Sequence, residues 1–424
     1  MARSRTTRSK GRAAVDAAPR SEDTGSAFPT SIATALGFTG ALTLLGALAT
    51  GKRTAGAAYE ALCTWDCGWY QHICAHGYVS AIPPVPQDGN QGNVAFFPGY
   101  PLSARVVAAV FALPWERALP FAAQLACVAL FTYALLLLRR WRVGTVPSVL
   151  AVAAIAAHPA AVYLVMGYSE SLLLAGLFGF AYWTSRSDEG PSRAALAAAH
   201  GFVVSATRLV GLPLAALPVL RLAVRCAAER RRPTRREVGT ALAVSGGATL
   251  GGLAFFAWSG LLFGRWNLYM ETQRIGWQVV PDYAAVLRPS SYRWGADINH
   301  HALAATALMF VALAGAEVAL AARSRASDAA RWGDRVALVG VALLAMVISV
   351  AGLATKDFNS FVRYALPLGA VGSLAAAGLW TEIAPPPRVA RFVGCVVAVA
   401  LVWALASVGV FDVAVPMLRG AWIA

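Results

Sequence analysis

Charged side chains are scarce in this sequence: Asp, Glu, Lys and Arg make up 13% of its 424 residues, against roughly 25% in a typical soluble domain. Hydrophobic residues make up 58%. This composition excludes a soluble globular domain and fits a bilayer. Many apolar runs approach or reach the length that crosses about 30 Å of hydrocarbon. Such runs form helices in lipid, because every backbone N–H and C=O must be satisfied within the chain. We predict an all-α polytopic membrane protein.

Acidic residues are also few, 21 against 36 Lys and Arg, which leaves a net charge of +15. A basic balance can indicate nucleic-acid binding, but no nucleic-acid motif accompanies it in this chain. The basic residues lie in short segments between apolar runs, where membrane topology and anionic lipid headgroups explain them. We therefore expect membrane lipids, and no nucleic acid, as partners.

The N-terminal segment is basic and ends where the first apolar run, at about 28–50, begins. No convincing small-residue cleavage site follows that run, so we expect a retained membrane span rather than a signal peptide. We predict a disordered basic cytoplasmic tail over residues 1–27 and a single transmembrane domain over 28–424. The basic residues of the tail are Arg3, Arg5, Arg8, Lys10, Arg12 and Arg20.

The six cysteines lack the paired C-x-x-C spacing of a structural zinc site. Cys63, Cys67 and Cys74 lie close together in the chain. One disulfide among them is compatible with an oxidising compartment, and small packed thiols fit the same spacing. The sequence does not choose between these alternatives.

Histidine pairs give weak support for a metal. His72 and His76 are spaced i, i+4, and His300 adjoins His301. No H-E-x-x-H motif and no third clustered ligand accompanies either pair. We expect no required cofactor; a divalent metal is possible but unsupported.

Beyond the first span, two stretches allow more than one topology. Residues 95–114 carry three prolines and an internal arginine, which suits an interfacial helix as well as a span. Residues 194–222 form either one long span or two short helices folded at 206–211. The other apolar runs lie at about 118–138, 146–165, 170–186, 238–263, 302–322, 335–354, 361–381 and 390–411.

The positive-inside rule favours one arrangement. If 95–114 does not cross and 194–222 is two helices, most basic clusters face the cytoplasm together with the N-terminus. We predict about eleven crossings, with ten as the alternative. The first outer loop, 51–117, then carries interfacial helices, and 167–171, 206–211, 264–301 and 356–364 reach the same outer face.

Asp66 heads the most unusual polar stretch on that face, "TWDCGWYQHICAHGYV" at 64–79. If this stretch is helical, Asp66 and Tyr70 share one face, and Trp65 and Trp69 share the adjacent one. Aromatic walls stack on sugar rings, and a carboxylate accepts the proton of an attacking hydroxyl. The alternative is an interfacial aromatic belt with an incidental aspartate.

Glu170, Arg208 and Arg363 form a second set of polar residues at outer helix ends. Glu170 lies at a tight connection between apolar helices, where a carboxylate is costly unless it is used or paired. Each arginine alone is explained by a side chain that extends to the headgroups. Together, the two guanidinium groups match the oxygens of a phosphate.

A carboxylate base and outward arginines in a many-span protein predict sugar transfer from a lipid phosphate carrier to a hydroxyl acceptor. We assign Asp66 as catalytic base and Arg208 and Arg363 to the donor phosphate. The short helices near 194–222 would leave a lateral opening for the lipid. The expected sugar or acceptor contacts are Trp65, Trp69, Tyr70, Tyr168, Glu170 and Tyr364.

Several blocks also carry a family resemblance. They are "WDCGWY" at 65–70, "HGY" at 76–78, "AFFPGYPLSARVVA" at 95–108, "YSES" at 168–171, "ATRLVGL" at 206–212 and "VRYALPL" at 362–368. In this order they resemble bacterial members of the PIG-V family, relatives of the second mannosyltransferase of GPI-anchor assembly. The resemblance implies a GT-C glycosyltransferase fold, a polyprenyl-phosphate mannose or similar donor, Asp66 as base, the two arginines near donor phosphate, and inversion at the anomeric carbon.

This sequence departs from the family pattern at Gly99, where a larger apolar residue is expected, at Thr64, and at Leu209-Val210. None of these departures removes a proposed chemical group. The Ala-, Arg- and Gly-rich composition suits a high-GC bacterium, which makes no GPI anchor. The expected acceptor is therefore a lipoglycan, a wall glycan or a protein.

A transporter or flippase of lipid-linked sugars is the main alternative. The span count and Glu317, an acid within an apolar run, favour it. Transporters often contain inverted repeats, and no convincing repeat relates the halves of this chain. A noncatalytic membrane scaffold is the third alternative.

The predicted topology is tested by reporter fusions after residues 142 and 232. Both reporters should give a cytoplasmic signal, because the basic clusters beside these positions stay inside. A reporter that is active outside at either position would contradict the arrangement.

Overall fold

The computed structural model describes residues 24–80, 92–294, 297–321, 329–382 and 388–421. Helices dominate these residues, and no strand occurs among them, which confirms the all-α prediction. The predicted N-terminal tail lies outside the described residues up to 23, and the first helix begins at Thr24, slightly before the predicted boundary.

Seventeen α-helices run through the described residues. They are α1 (Thr24–Ala49), α2 (Ala55–Glu60), α3 (Asp66–His76), α4 (Gly99–Phe111), α5 (Trp115–Arg140), α6 (Thr145–Ala156), α7 (Glu170–Thr184), α8 (Pro191–Thr207), α9 (Gly211–Leu214), α10 (Leu217–Ala228), α11 (Arg235–Phe263), α12 (Leu268–Glu271), α13 (Ile298–Ala321), α14 (Ala329–Leu353), α15 (Phe361–Glu382), α16 (Arg388–Val408) and α17 (Val415–Leu418).

Eight helical segments of the described chain are long and apolar enough to cross a membrane. They overlap α1, α5, α9 with α10, α11, α13, α14, α15, and α16 with α17. The other segments expected to cross are shorter: α6, α7 and α8 have 12, 15 and 17 residues. The chain is thus a polytopic helical protein, and the count of eleven crossings stays a prediction.

Residues 95–114 form one short helix, α4, of 13 residues. At 1.5 Å per residue it is about 20 Å long, too short for the hydrocarbon layer. Tyr100 and Ala104 are buried, whereas Val106 and Val110 are exposed.

At the start of α4, a Cβ on Gly99 would lie 2.7 Å from the carbonyl oxygen of Ala206. This close approach of α4 to the end of α8 requires glycine at residue 99.

Residues 194–222 contain a break, as the preferred topology requires. The helix α8 ends at Thr207, and Arg208 has extended backbone with φ −155° and ψ 152°. A continuous helix is disfavoured because Pro213 has no N–H to donate to the carbonyl of Leu209. The chain therefore turns at Arg208 and continues as α9 and α10.

One hydrophobic core joins most helices: α7 packs against α5 and α8, α8 packs against α11, and α15 packs against α6, α13 and α14. Glu317 of α13 is buried and ion-paired with Arg335 of α14, whose Nη1 also donates to Glu382 Oε1 of α15 at 2.8 Å. The acid that favoured a transporter is therefore engaged in a helix-to-helix ion pair.

Candidate active site

Asp66 is the first residue of α3, where a carboxylate is favoured by the positive end of the helix dipole. Trp65 precedes the helix with φ 54° and ψ −116°, a conformation that non-glycine residues rarely adopt. Its indole Nε1 donates to the carbonyl oxygen of Met417, at 3.2 Å. The unusual backbone at Trp65 turns the chain so that Asp66 faces the start of α15.

Arg363, in the first turn of α15, binds this carboxylate directly. Its Nη1 donates to Asp66 Oδ2 at 2.5 Å. The backbone N–H of Asp66 donates to the hydroxyl of Tyr168 at 3.2 Å. Only 13% of the Asp66 side chain and 9% of the Arg363 side chain are exposed. The other oxygen of the carboxylate, Oδ1, accepts no hydrogen bond from the described residues.

Glu170 connects the two arginines. It is fully buried at the start of α7. Arg208 Nη1 donates to Glu170 Oε1 at 2.7 Å, and Arg363 Nε donates to the same oxygen. The other oxygen, Oε2, is buried and has no hydrogen-bond partner in the described part of the chain. A buried carboxylate is stable only when it is paired, and here two guanidinium groups provide the pairing.

Tyrosine rings cover the guanidinium groups. The Cζ atom of Arg363 lies 4.9 Å from the ring centroid of Tyr168 and 5.6 Å from that of Tyr163. The Cζ atom of Arg208 lies 4.8 Å from the ring centroid of Tyr364. Cation–π contacts of this kind are stronger where water is excluded. The rings thus keep the four charged groups in a site of low dielectric.

The four groups, which we call the charged quartet (Asp66, Glu170, Arg208 and Arg363), have two negative and two positive charges. The sequence predicted free arginines for a phosphate, whereas the structure pairs both with carboxylates. Both arginine side chains are largely buried, with 15% of Arg208 and 9% of Arg363 exposed. Each guanidinium group has five N–H donors, so these ion pairs leave donors for a phosphate.

Trp69 and Tyr70 do not join the quartet as ring walls. Trp69 stacks on Phe96 with centroids 6.0 Å apart. Tyr70 packs edge-on against Phe96 and Tyr100. Burial raises the pKa of the Tyr70 hydroxyl, which also feels the charge of Arg208. The expected pairing of Trp65 and Trp69 on one helix face is wrong, because α3 begins one residue after Trp65.

The sequence predicted neither Tyr163 nor Asn299 as part of the site. Tyr163 covers Arg363, and no sequence signal marks it. Asn299 Oδ1 accepts the backbone N–H of Val362 at 3.0 Å and so fixes the start of α15. Cys63 and Cys67 form a disulfide on either side of Asp66, whereas Cys74 is free. Disulfides persist in oxidising compartments, which supports an outer location for this loop.

An apolar cavity adjoins the quartet. Aliphatic side chains of α7, α9, α14 and α15 form its walls, among them Leu173, Leu214, Ala345 and Leu368. Arg208 and Tyr364 also line it. The lining thus combines aliphatic walls with one guanidinium group.

Comparison with models of known protein families finds no match, and neither does comparison with curated proteins. Among solved structures, the chain is similar to the archaeal oligosaccharyltransferase AglB from Archaeoglobus fulgidus in complex with an inhibitory peptide and a dolichol-phosphate. The TM-score is 0.47 at 13% identity, over 91% of this chain and 56% of that chain. This chain therefore spans little more than half the length of that structure. A similarity at this level assigns neither a family nor a substrate, and the PIG-V resemblance stays a prediction.

The role of Glu170 in stability is tested by Glu170→Gln. Removal of one partner of a buried ion pair costs about 3–5 kcal/mol, because an uncompensated charge stays buried. We expect a clearly lower unfolding temperature for the purified protein in detergent. Glu60→Gln is the matched control: its pair with Arg117 is nearly half exposed, so its loss should cost at most about 1 kcal/mol. Equal unfolding temperatures for the two variants would contradict the buried charge network.

Proposed function

We propose that this chain is a GT-C-type glycosyltransferase of the cell (inner) membrane. It transfers a mannosyl or related residue from a polyprenyl-phosphate sugar to a hydroxyl of a lipoglycan, wall glycan or protein on the outer face. The observation that carries the proposal is the convergence of the charged quartet from four separate chain segments beside an apolar cavity.

The cavity supports a lipid-linked donor. Its aliphatic walls offer the polyprenyl tail an environment as apolar as the bilayer, and Arg208 in its lining offers donors for phosphate oxygens. A water-soluble nucleotide sugar would gain little from such walls, because its base and ribose are polar. The chemistry of the lining therefore favours a phosphate attached to a long hydrocarbon.

Asp66 acts as the general base in this mechanism. The acceptor hydroxyl oxygen attacks the anomeric carbon while its proton passes to the free oxygen of Asp66. The bond between that carbon and the phosphate oxygen breaks, and polyprenyl phosphate leaves with the bonding electrons. A single displacement inverts the anomeric carbon and needs one base, with no covalent sugar intermediate.

The two arginines stabilise the departing phosphate. The donor phosphodiester has one negative charge, and the released monoester gains a second, so negative charge grows along the reaction. Guanidinium groups already fixed by Glu170 need no reorganisation to meet this charge, and they bind the transition state more tightly than the ground state. Glu170 is thus a positioning residue.

The base is tested by Asp66→Asn. General acid–base catalysis contributes about 10²–10⁴-fold, so kcat should fall by that factor while insertion and folding are retained. The rate is measured as transfer of labelled mannose from polyprenyl-phosphate mannose. The assay uses membranes of a deletion strain and of the complemented strain. Asp282→Asn, on an outer loop where Asp282 pairs with Arg288, is the control and should retain activity.

Full activity of the Asp66→Asn enzyme would remove Asp66 from the mechanism. In reconstituted vesicles, movement of the donor across the bilayer without a new glycosidic bond would favour the transporter alternative.

The cavity is tested by Ala345→Phe. Ala345 is buried in the cavity wall, so the larger ring should exclude the polyprenyl tail. The donor tail would lose part of its apolar contact with the cavity wall, at a cost of about 1.4 kcal/mol. We therefore expect KM for a long-chain donor to rise about tenfold. A short-chain donor should be affected much less. Val347→Phe, on an exposed face of α14, is the control. The same effect on both chain lengths would contradict a lipid-tail site.

A further inference from the structure

The disulfide between Cys63 and Cys67 encloses the residue proposed as the base. The two cysteines are four residues apart, so the covalent ring contains Thr64, Trp65 and Asp66. Cys67 is the second residue of α3 and is fully buried. The bridge therefore ties the first turn of α3 to the segment that precedes it.

The bridge also rests on the segment that leads to Glu170. A Cβ on Gly167 would lie 2.2 Å from the Sγ of Cys67, so only glycine allows this contact. The N–H of Gly167 donates to the carbonyl oxygen of Leu62 at 3.0 Å. The next residue, Tyr168, accepts the backbone N–H of Asp66. Residues on both sides of the disulfide thus contact the segment that leads into α7.

The conformation of Trp65 needs such a constraint. Its φ of 54° is rare for a residue with a side chain, and such backbone persists only where its surroundings enforce it. The hydrogen bond from its indole to Met417 and the covalent ring are among the restraints that act on this residue. Without the ring, the Trp65 backbone is expected to relax and to turn Asp66 away from Arg363.

We propose that the Cys63–Cys67 disulfide is a positioning element for Asp66, so that glycosyl transfer depends on the oxidised state of this loop. The inference rests on the proposed function and adds redox control to it. Reduction takes two electrons and two protons from a dithiol, which itself becomes a disulfide, and leaves two cysteine thiols. Added dithiothreitol serves as that dithiol.

The expected defect is selective. The ion pairs of Glu170 with Arg208 and Arg363, and the apolar cavity, involve no atom of the bridge. Donor binding should therefore survive reduction, and the base alone should lose its position. A displacement of about 1 Å in a reacting group can cost about 10²-fold in rate.

The free cysteine nearest to the bridge provides a control. Burial raises the pKa of the Cys74 thiol to about 11, which keeps it protonated and slow to exchange with the disulfide. Cys74→Ala should leave both the activity and its sensitivity to reductant as in the wild type.

The first part of the test counts the free cysteine thiols and needs no activity assay. Denatured protein alkylated before reduction should carry label on the four free cysteines, Cys74, Cys127, Cys226 and Cys395, and after reduction on all six. Labelling of all six before reduction would overturn the proposal, because no bridge would exist.

Kinetics of the full-length protein in membranes then follow, with polyprenyl-phosphate mannose as donor. Dithiothreitol should lower wild-type kcat by about 10²-fold with donor KM within about twofold. The double variant C63A/C67A should have the same low kcat and should not respond to dithiothreitol. Since the wild-type arm uses folded protein, the test stands even where the variant fails to fold.

Unchanged kcat after complete reduction would overturn the proposal but leave the glycosyltransferase function intact. A rise in donor KM equal to the fall in kcat would show a general loss of structure and would also overturn it. No transfer by the oxidised wild type, with the bridge present, would instead reject the proposed function itself.

Discussion

The site depends on one buried carboxylate, Glu170, that binds two guanidinium groups from distant parts of the chain. A carboxylate with no exposed surface is tolerated only with a charged partner, so the start of α7 must keep Arg208 and Arg363 beside it. The break after α8 follows from this requirement. Extended backbone at Arg208 carries the guanidinium group out of the helix axis to Glu170, which a continuous helix would not allow.

Arg363 links the buried Glu170 to Asp66. Its Nε binds Glu170 and its Nη1 binds Asp66, so one planar group fixes both carboxylates relative to each other. Because Glu170 fixes the orientation of that plane, the position of Asp66 is set indirectly by a residue that it does not contact. A lysine at residue 363 would supply one point charge and would lose this geometry.

The sequence predicted the helical fold, the break within 194–222 and the grouping of Asp66, Arg208 and Arg363, because apolar runs and loop charges follow directly from the bilayer. It did not predict that the arginines are paired. Glu170 and Arg363 are 193 residues apart, and their contact depends on how α7 and α15 pack. The sequence also did not predict the orientation of Trp69, because its partner Trp277 comes from a distant loop.

The helix α15 is tied at both ends by guanidinium–carboxylate contacts. At its start, Arg363 binds Glu170 and Asp66; at its end, Glu382 binds Arg335, which also pairs with Glu317 of α13. Between these ties, Leu368 lines the apolar cavity. A helix restrained at both ends keeps the distance between its cavity wall and its arginine nearly constant. In the proposed mechanism the tail and the phosphate of the donor are one molecule, so this fixed distance would align the phosphate with Arg363 once the tail is bound.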